Sequence, residues 1–140
     1  MTGVQTCALP IWGHIFGKDS VYAAGLFVEM CAAIKKPIKE FWQELSERYG
    51  KYIMCEENLK FTENEKITVQ RILIKEKRVP DFAVGNPTKI NYTDGVKFYF
   101  KDAFVICRFS GTEPLLRIFA EGKTEADALR LIREVKDFIS

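Results

Sequence analysis

The 140-residue sequence lacks the features that mark several common classes of protein. It has a single histidine, and its four cysteines form neither a Cys-x-x-Cys pair nor a zinc-binding pattern. No apolar run approaches the roughly 18 residues of a membrane-spanning helix. The 21 basic and 19 acidic residues leave a net charge of +2 and a pI near 8.3, whereas a nucleic-acid-binding domain recognised by its charge has a pI above about 9. The sequence therefore predicts a cytoplasmic protein with reduced thiols and no membrane or nucleic-acid partner.

The composition is that of a folded chain. Hydrophobic residues make up 47% and charged residues 29% of the sequence, which excludes general disorder. A chain of this length buries roughly two thirds of its unfolded surface. It has room for one domain, or for one domain and part of another.

The start of the sequence differs in character from the rest. Residues 2–11 (TGVQTCALPI) contain no charged side chain and no hydrophobic periodicity. A secretory signal needs a basic start and a longer apolar stretch, and Pro10 interrupts this one. The segment is identified as one translated reading frame of a short-read sequencing adapter. We therefore interpret residues 1–11 as an artefact, which makes the chain a truncated reading frame.

Two helices are predicted before residue 50. The first spans residues 21–35 after Asp19 and Ser20, which supply an N-cap, and its side chains are apolar nearly all round. Such a helix should be largely buried in an intact protein, and we expect it to stay partly exposed in this truncated reading frame. The second spans residues 37–49 and is amphipathic, and its spacing predicts that Phe41 and Trp42 are core residues.

After residue 50 the pattern changes to strands. Strands are predicted over residues 52–59, 89–92, 96–101, 103–109 and 115–121. Thr62 and Glu65 form a capping box for a third helix, and Thr124 caps a last one. The inward positions of the third helix are predicted to be Ile67, the Arg71 stem and Ile74, with Leu73 beside them. Those of the last helix are predicted to be Leu129, Ile132, Val135 and Ile139. This order predicts an α+β fold with a mostly antiparallel, four- to five-stranded sheet and packing helices.

The segment RFSGTEPLLR, which begins at Arg108, has the highest density of residues suited to anion binding. Arg108 and Arg117 carry planar, permanently charged groups that bind phosphate or carboxylate through two hydrogen bonds. Ser110 and Thr112 add hydroxyl donors, and Gly111 allows an unusual backbone conformation in which N–H groups point into one concavity. Together these groups predict a site for a phosphate dianion.

A second interpretation of this segment is a Ser-Gly-Thr hairpin loop with solvated arginines. The residues alone leave both interpretations open, and they differ in whether the arginines converge on one anion. Glu113 would repel a phosphate, so we expect its carboxylate to turn away from the site and pair with an arginine.

The longer segment RFSGTEPLLRIFAE resembles the C-terminal phosphate-binding signature of the α-D-phosphohexomutases, the phosphoglucomutase/phosphomannomutase superfamily. The match to Arg-x-Ser-Gly-Thr-Glu-Pro-x-x-Arg is continuous over ten positions. Upstream, GHIFGKDSVYAAGLFVEM resembles the end of a sugar-binding loop and the helix that closes domain 3, and YTDGVKFYF resembles a strand pair of domain 4. The resemblance covers residues 13–140, the C-terminal part of a full-length enzyme.

This resemblance implies a domain organisation and a set of phosphate-binding residues. Residues 12–49 would be the end of domain 3 with a connecting helix, and residues 50–140 would be a TBP-like domain 4. The substrate phosphate-binding positions would be Arg108, Ser110, Gly111, Thr112 and Arg117.

The resemblance also implies the remnant of a sugar-binding loop. Gly13 and His14 match the last two residues of Gly-Glu-x-Ser-Gly-His, and Lys18 follows as a further positive charge. The chain departs from the pattern before Gly13, where Ile11-Trp12 stands and the loop's Glu and Ser are missing. The carboxylate that would bind sugar hydroxyls is therefore absent.

The activity that the resemblance implies belongs to a longer parent enzyme. That enzyme would interconvert hexose 1-phosphate and hexose 6-phosphate through an active-site phosphoserine, with Mg²⁺ bound by one of its three remaining domains. This chain contains neither the phosphoserine loop nor an Asp-Gly-Asp metal loop. We therefore expect it to hold the non-reacting phosphate, to contain no catalytic residue and to be inactive alone. Glucose and mannose phosphates stay open as substrates. Glucosamine phosphate is a third possibility, but SGTEPLLRIFAE and the preceding YTDGVKFYF resemble the glucose/mannose branch more closely. A non-catalytic anion-binding module is the alternative function.

Overall fold

The computed structural model describes residues 19–111 and 113–140, and the chain divides at Gly50 into two compact units. The predicted adapter segment, residues 1–11, lies outside the described residues and stays a prediction. The assignment of residues 12–49 to the end of a domain 3, and of residues 50–140 to a domain 4, also stays a prediction.

The described part of the first unit consists of two helices. Helix α1 spans Ser20–Ile34, and helix α2 spans Ile38–Tyr49. The side chain of Asp19 caps α1 by accepting a hydrogen bond from the Tyr22 N–H at 2.9 Å, as the sequence predicts. Neither helix contains a buried residue, although α1 is almost entirely apolar.

The prediction that Phe41 and Trp42 are core residues is wrong. Phe41 is half-buried, and Trp42 is 51% exposed. The amphipathic pattern gives the direction of an apolar face, but burial needs a second layer that packs on it. The described part of this unit holds only α1 and α2, which do not provide such a layer.

The second unit is a five-stranded antiparallel sheet with helices packed on one face. The strands are β1 (Ile53–Lys60), β2 (Lys89–Asn91), β3 (Val96–Tyr99), β4 (Phe104–Phe109) and β5 (Leu115–Gly122). The helices are α3 (Glu63–Gln70), which continues into a π-helical turn over Arg71–Lys75, and α4 (Glu125–Ile139). The strand order is β1-β5-β4-β3-β2, and every neighbouring pair is antiparallel. The predicted α+β class and sheet are confirmed.

Alternation along the strands separates a core face from an open face of the sheet. On β4, Val105 and Cys107 point into the core and are fully buried, while Ile106 and Arg108 lie on the opposite face and are half-buried. The core face packs on α3 and α4. Its fully buried strand residues are Val96, Phe98, Val105, Cys107, Leu116, Ile118 and Ala120.

The helices bury partly different residues from those predicted. In α3 and its π-helical turn, Val69 and Leu73 are buried, whereas Ile67 is 61% exposed. Apolar side chains occur on more than one side of this helix, so their spacing does not select the core face, and a π-helical turn shifts the register further. In α4, Ile132 and Val135 are buried as predicted. Ala128 and Leu131 of the same helix are also buried, whereas Leu129, which was predicted to point inward, is 40% exposed.

A tight turn between β2 and β3 is held against strand β4. The Asn91 Oδ1 accepts hydrogen bonds from the Thr93 N–H at 2.9 Å and the Thr93 hydroxyl at 2.7 Å, which fixes the first half of the turn. Gly95 closes it with a φ of +78°, and a Cβ at this position would lie 2.0 Å from the Cys107 carbonyl oxygen. Only glycine therefore fits between the turn and β4.

We predict that Gly95→Ala destabilises the second unit strongly. The left-handed φ costs an L-residue about 1–2 kcal/mol, and displacing the backbone of β4 adds about 1–3 kcal/mol. The measurement is the free energy of unfolding in urea, followed through the amide signals of β3 and β4.

Gly85→Ala is the matched control for this prediction. Gly85 also has a positive φ, +97°, but a Cβ there would meet nothing within 4 Å. It should show the conformational cost of about 1–2 kcal/mol alone. Equal losses of stability in the two variants would contradict the close packing of the turn on β4.

Candidate anion-binding site

Two arginines lie opposite each other on neighbouring strands, one near the end of β4 and one near the start of β5. Arg108 and Arg117 are direct partners in the antiparallel register, so their Cα atoms are about 4.5–5.5 Å apart. Each alternates with buried neighbours along its strand, which places both side chains on the open face of the sheet. Two positively charged residues therefore share one end of the open face.

The loop that joins the two strands is closed by its own hydrogen bonds. The Ser110 N–H donates to the Leu115 carbonyl at 2.8 Å, and the Ser110 Oγ accepts from the Glu113 N–H at 3.2 Å. The Glu113 carbonyl accepts from the Leu115 N–H at 2.8 Å. These bonds hold the described ends of the loop, on either side of residue 112, in a defined shape.

Strand β1 and helix α3 support the exit of this loop. The Phe61 N–H donates to the Pro114 carbonyl at 2.9 Å. Thr62 then begins α3 with the predicted capping box, in which its Oγ1 accepts from the Glu65 N–H and its N–H donates to the Glu65 carboxylate. Those bonds lower the pKa of Glu65. The exit of the loop is therefore tied to the start of a capped helix.

Gly111 does not have a positive φ, unlike Gly50, Gly85 and Gly95. The predicted concavity of N–H groups also involves Thr112, which lies outside the described residues, and it stays a prediction. A Cβ on Gly111 would meet nothing within 4 Å. The residue instead leaves open space beside the backbone at the tip of the loop.

The carboxylate beside Arg108 comes from the β2–β3 turn. Asp94 Oδ2 lies 2.7 Å from Arg108 Nε. The Nε–H does not point at this oxygen, so the two groups form an ion pair and the buried Nε keeps an unsatisfied hydrogen. The sequence predicted that Glu113 would pair with an arginine, but it is Asp94 that pairs with Arg108.

The structure brings four of the predicted site residues to one end of the sheet: Arg108, Ser110, Gly111 and Arg117. Four others, Gly13, His14, Lys18 and Thr112, lie outside the described residues, and their predicted roles stay predictions. Sequence reasoning missed Asp94. The register would have identified it, since Val96 pairs with Cys107 and the preceding turn must then reach Arg108.

The cysteine next to Arg108 is not a reactive group. Cys107 points into the core and is fully buried, and this burial raises the pKa of its thiol to about 12. At neutral pH it is therefore an uncharged core side chain. Within residues 19–111 and 113–140, no group of three His, Cys, Asp or Glu side chains is arranged to hold a metal ion. No described helix is both long and apolar enough to cross a membrane.

Comparison with known proteins agrees with this architecture. The family model described as "Phosphoglucomutase/phosphomannomutase, C-terminal domain" matches residues 55–138. A phosphoglucomutase/phosphomannomutase from Thermococcus kodakarensis is 33% identical over 81% of this chain and 23% of its own length. A phosphoglucosamine/phosphogalactosamine mutase from Sulfurisphaera tokodaii is 29% identical over 90% of this chain and 26% of its own length.

Two further relatives extend the comparison. A probable phosphoglucosamine mutase from Pyrococcus furiosus is 28% identical over 96% of this chain and 27% of its own length. A phosphoglucomutase/phosphomannomutase family protein from Burkholderia thailandensis shares the fold, with a TM-score of 0.56 and 15% identity over 89% of this chain and 24% of that structure. The chain thus spans about a quarter of the length of these relatives. Because the family model covers most of the second unit and more than half of the chain, this chain belongs to the phosphoglucomutase/phosphomannomutase family and contains its C-terminal domain.

Proposed function

We propose that this chain is the phosphate-binding C-terminal part of a mutase that interconverts hexose 1-phosphate and hexose 6-phosphate. The loop between β4 and β5 would bind the phosphate that is not being transferred. The observation that carries this proposal is the direct register of Arg108 with Arg117 on the open face, beside the loop tip at Gly111. Thr112 is included in this proposal because of its position in the sequence motif.

The chemistry of binding follows from the charges and donors at this end of the sheet. A phosphate dianion placed between the two guanidinium groups would be attracted by both positive charges. Each arginine presents planar donors that match two phosphate oxygens. A charge-assisted hydrogen bond contributes about 1.5–3 kcal/mol, but Arg108 is 38% exposed, so water weakens its contribution. Millimolar affinity for phosphate is the result we expect for this chain.

In the proposed reaction these residues bind and orient the substrate and make no covalent bond. Holding the remote phosphate fixes the position of the sugar relative to the reacting groups. The phosphoserine would lie in the remaining three domains of the longer enzyme. Mg²⁺, which would stabilise charge on the transferred phosphoryl group when bound, would also lie there, because the described residues of this chain offer no suitable cluster.

A site that contacts only the phosphate group would not select the sugar. The relatives include proteins named for glucose, mannose, glucosamine and galactosamine phosphates. Phosphate is common to all of these, and the proposed role of this chain is compatible with each. The sugar would be selected elsewhere, in part by a loop whose last residues are Gly13 and His14.

The exposed helix α1 supports the proposal of further domains. Its side chains Val21 and Phe27 are 82% and 54% exposed, which is unusual for an almost wholly apolar helix. We propose that the remaining domains of a longer protein cover this helix.

We predict that inorganic phosphate shifts the amide signals of Ser110 and Gly111 with a dissociation constant in the millimolar range. Arg108→Ala should weaken binding at least about fivefold, corresponding to about 1 kcal/mol. The measurement is an NMR titration of the full chain at constant ionic strength, with chloride as the reference anion.

Arg133→Ala is the control for this titration. Arg133 is an exposed residue of α4, which packs on the core face of the sheet. Its replacement removes the same charge without touching the loop and should leave phosphate binding unchanged. Amides of Ser110 and Gly111 that do not respond to phosphate, or an unchanged response in Arg108→Ala, would refute the proposed site.

We also predict that the purified chain has no mutase activity towards glucose 1-phosphate, with Mg²⁺ and a hexose bisphosphate activator present. The physical reason is that the phosphoserine loop, which would donate the phosphoryl group in the parent enzyme, does not occur in this sequence. A coupled assay that detects glucose 6-phosphate measures this directly. Turnover above background would contradict the proposal that the phosphoserine lies in the remaining domains. The alternative, a non-catalytic anion-binding module, is distinguished by a full-length gene that lacks a phosphoserine loop.

A further inference from the structure

We propose that Asp94 is a positioning residue for Arg108, holding its guanidinium group at the anion loop. This inference rests on the proposed function of the loop. Asp94 belongs to a different hairpin from the loop itself, and it would touch the arginine rather than the phosphate.

The strand register and the packing of Gly95 fix the position of Asp94 beside Arg108. Val96 pairs with Cys107 in the β3–β4 register, so the turn before Val96 lies beside Arg108. Gly95 packs so closely on β4 that its missing Cβ would lie 3.1 Å from the Arg108 Cα. The residue before Gly95 is therefore held within side-chain reach of Arg108.

The other side of the turn is fixed as well. Asn91 accepts two hydrogen bonds from Thr93, at 2.9 Å from its N–H and 2.7 Å from its hydroxyl. Asp94 thus follows an Asx turn that two hydrogen bonds close, and it precedes a glycine that packs directly against the backbone of β4. A carboxylate on so rigid a turn restricts the positions of the arginine that it contacts.

The contact between Asp94 and Arg108 indicates how this restriction would favour phosphate binding. Asp94 approaches Arg108 at Nε, with 2.7 Å between Oδ2 and Nε. This contact holds the inner edge of the guanidinium, where Nε is buried, and leaves the two terminal nitrogens as donors for a phosphate. It also places one negative charge beside Arg108, whose register partner is Arg117, and so offsets part of the positive charge there before an anion binds.

The first test needs no phosphate. The side-chain Nε–H signal of Arg108, identified by its loss in Arg108→Ala, is compared by NMR in the unmodified full chain and in Asp94→Asn. Asparagine keeps the shape of the side chain and is favoured in turns, and Asp94 is 66% exposed, so the fold should be retained. We expect Asp94→Asn to shift this signal and to speed its exchange with water.

Asp102→Asn is the matched control. Asp102 lies in the turn at the other end of β4 and pairs with Lys123 at 3.6 Å. Its replacement removes one negative charge from an exposed ion pair of the same domain, and the Arg108 signal should stay in place. An Arg108 signal that is unchanged in Asp94→Asn, or that moves equally in Asp102→Asn, would overturn the inference.

The second test measures phosphate binding by the same variants. Removing a negative charge alone would strengthen the binding of an anion, so a loss of affinity indicates lost positioning. We expect Asp94→Asn to bind phosphate about threefold more weakly and Asp102→Asn to bind it as the unmodified chain does. Equal or tighter binding by Asp94→Asn would overturn the inference.

The two proposals fail in different experiments. If the unmodified chain does not bind phosphate, the proposed function of the loop is refuted, whatever the Arg108 signal shows. If the chain binds phosphate but Asp94→Asn leaves the Arg108 signal unchanged, the loop keeps its function and Asp94 loses its positioning role.

Discussion

The candidate site depends on the register of one strand, β4, with its two neighbours. Pairing with β5 places Arg108 opposite Arg117, and pairing with β3 brings the turn that carries Asp94 to the same arginine. Side chains alternate along a strand with a period of two, so a slip of one residue would turn Arg108 into the core and Cys107 out of it. The site exists only in one register.

That register is enforced from the opposite side of the sheet. Cys107 and Ile118 are register partners and are both fully buried against the helices. Moving either to the open face would expose apolar surface and bury a guanidinium, which carries a far larger cost than the loss of a single surface contact. The packing of the core face therefore fixes the geometry of the charged residues on the open face, and stability and the proposed binding site share the same strands.

Much of this architecture follows from local signals in the sequence, and the errors have a common physical origin. The capping box at Thr62, the N-cap at Thr124 and the succession of strands and helices after residue 50 depend on neighbouring residues, and each was predicted correctly. The exposure of Trp42 and the pairing of Asp94 with Arg108 depend on what lies across space. Burial of Trp42 needs a second layer, and the contact of Asp94 needs the register of two hairpins, which periodicity along one strand does not contain.

The placement of the charges also limits what this domain can recognise by itself. The arginines, the loop and Asp94 all lie at one end of one sheet face, and Arg108 remains 38% exposed. In the proposed function, such a half-site would read the charge and the oxygen geometry of a phosphate group. Water competes for the same donors until another surface covers them, and desolvation then strengthens each charged contact. High affinity and sugar selectivity would therefore come from a second surface facing this one, while in the proposed function the hairpin between β4 and β5 would hold the phosphate group.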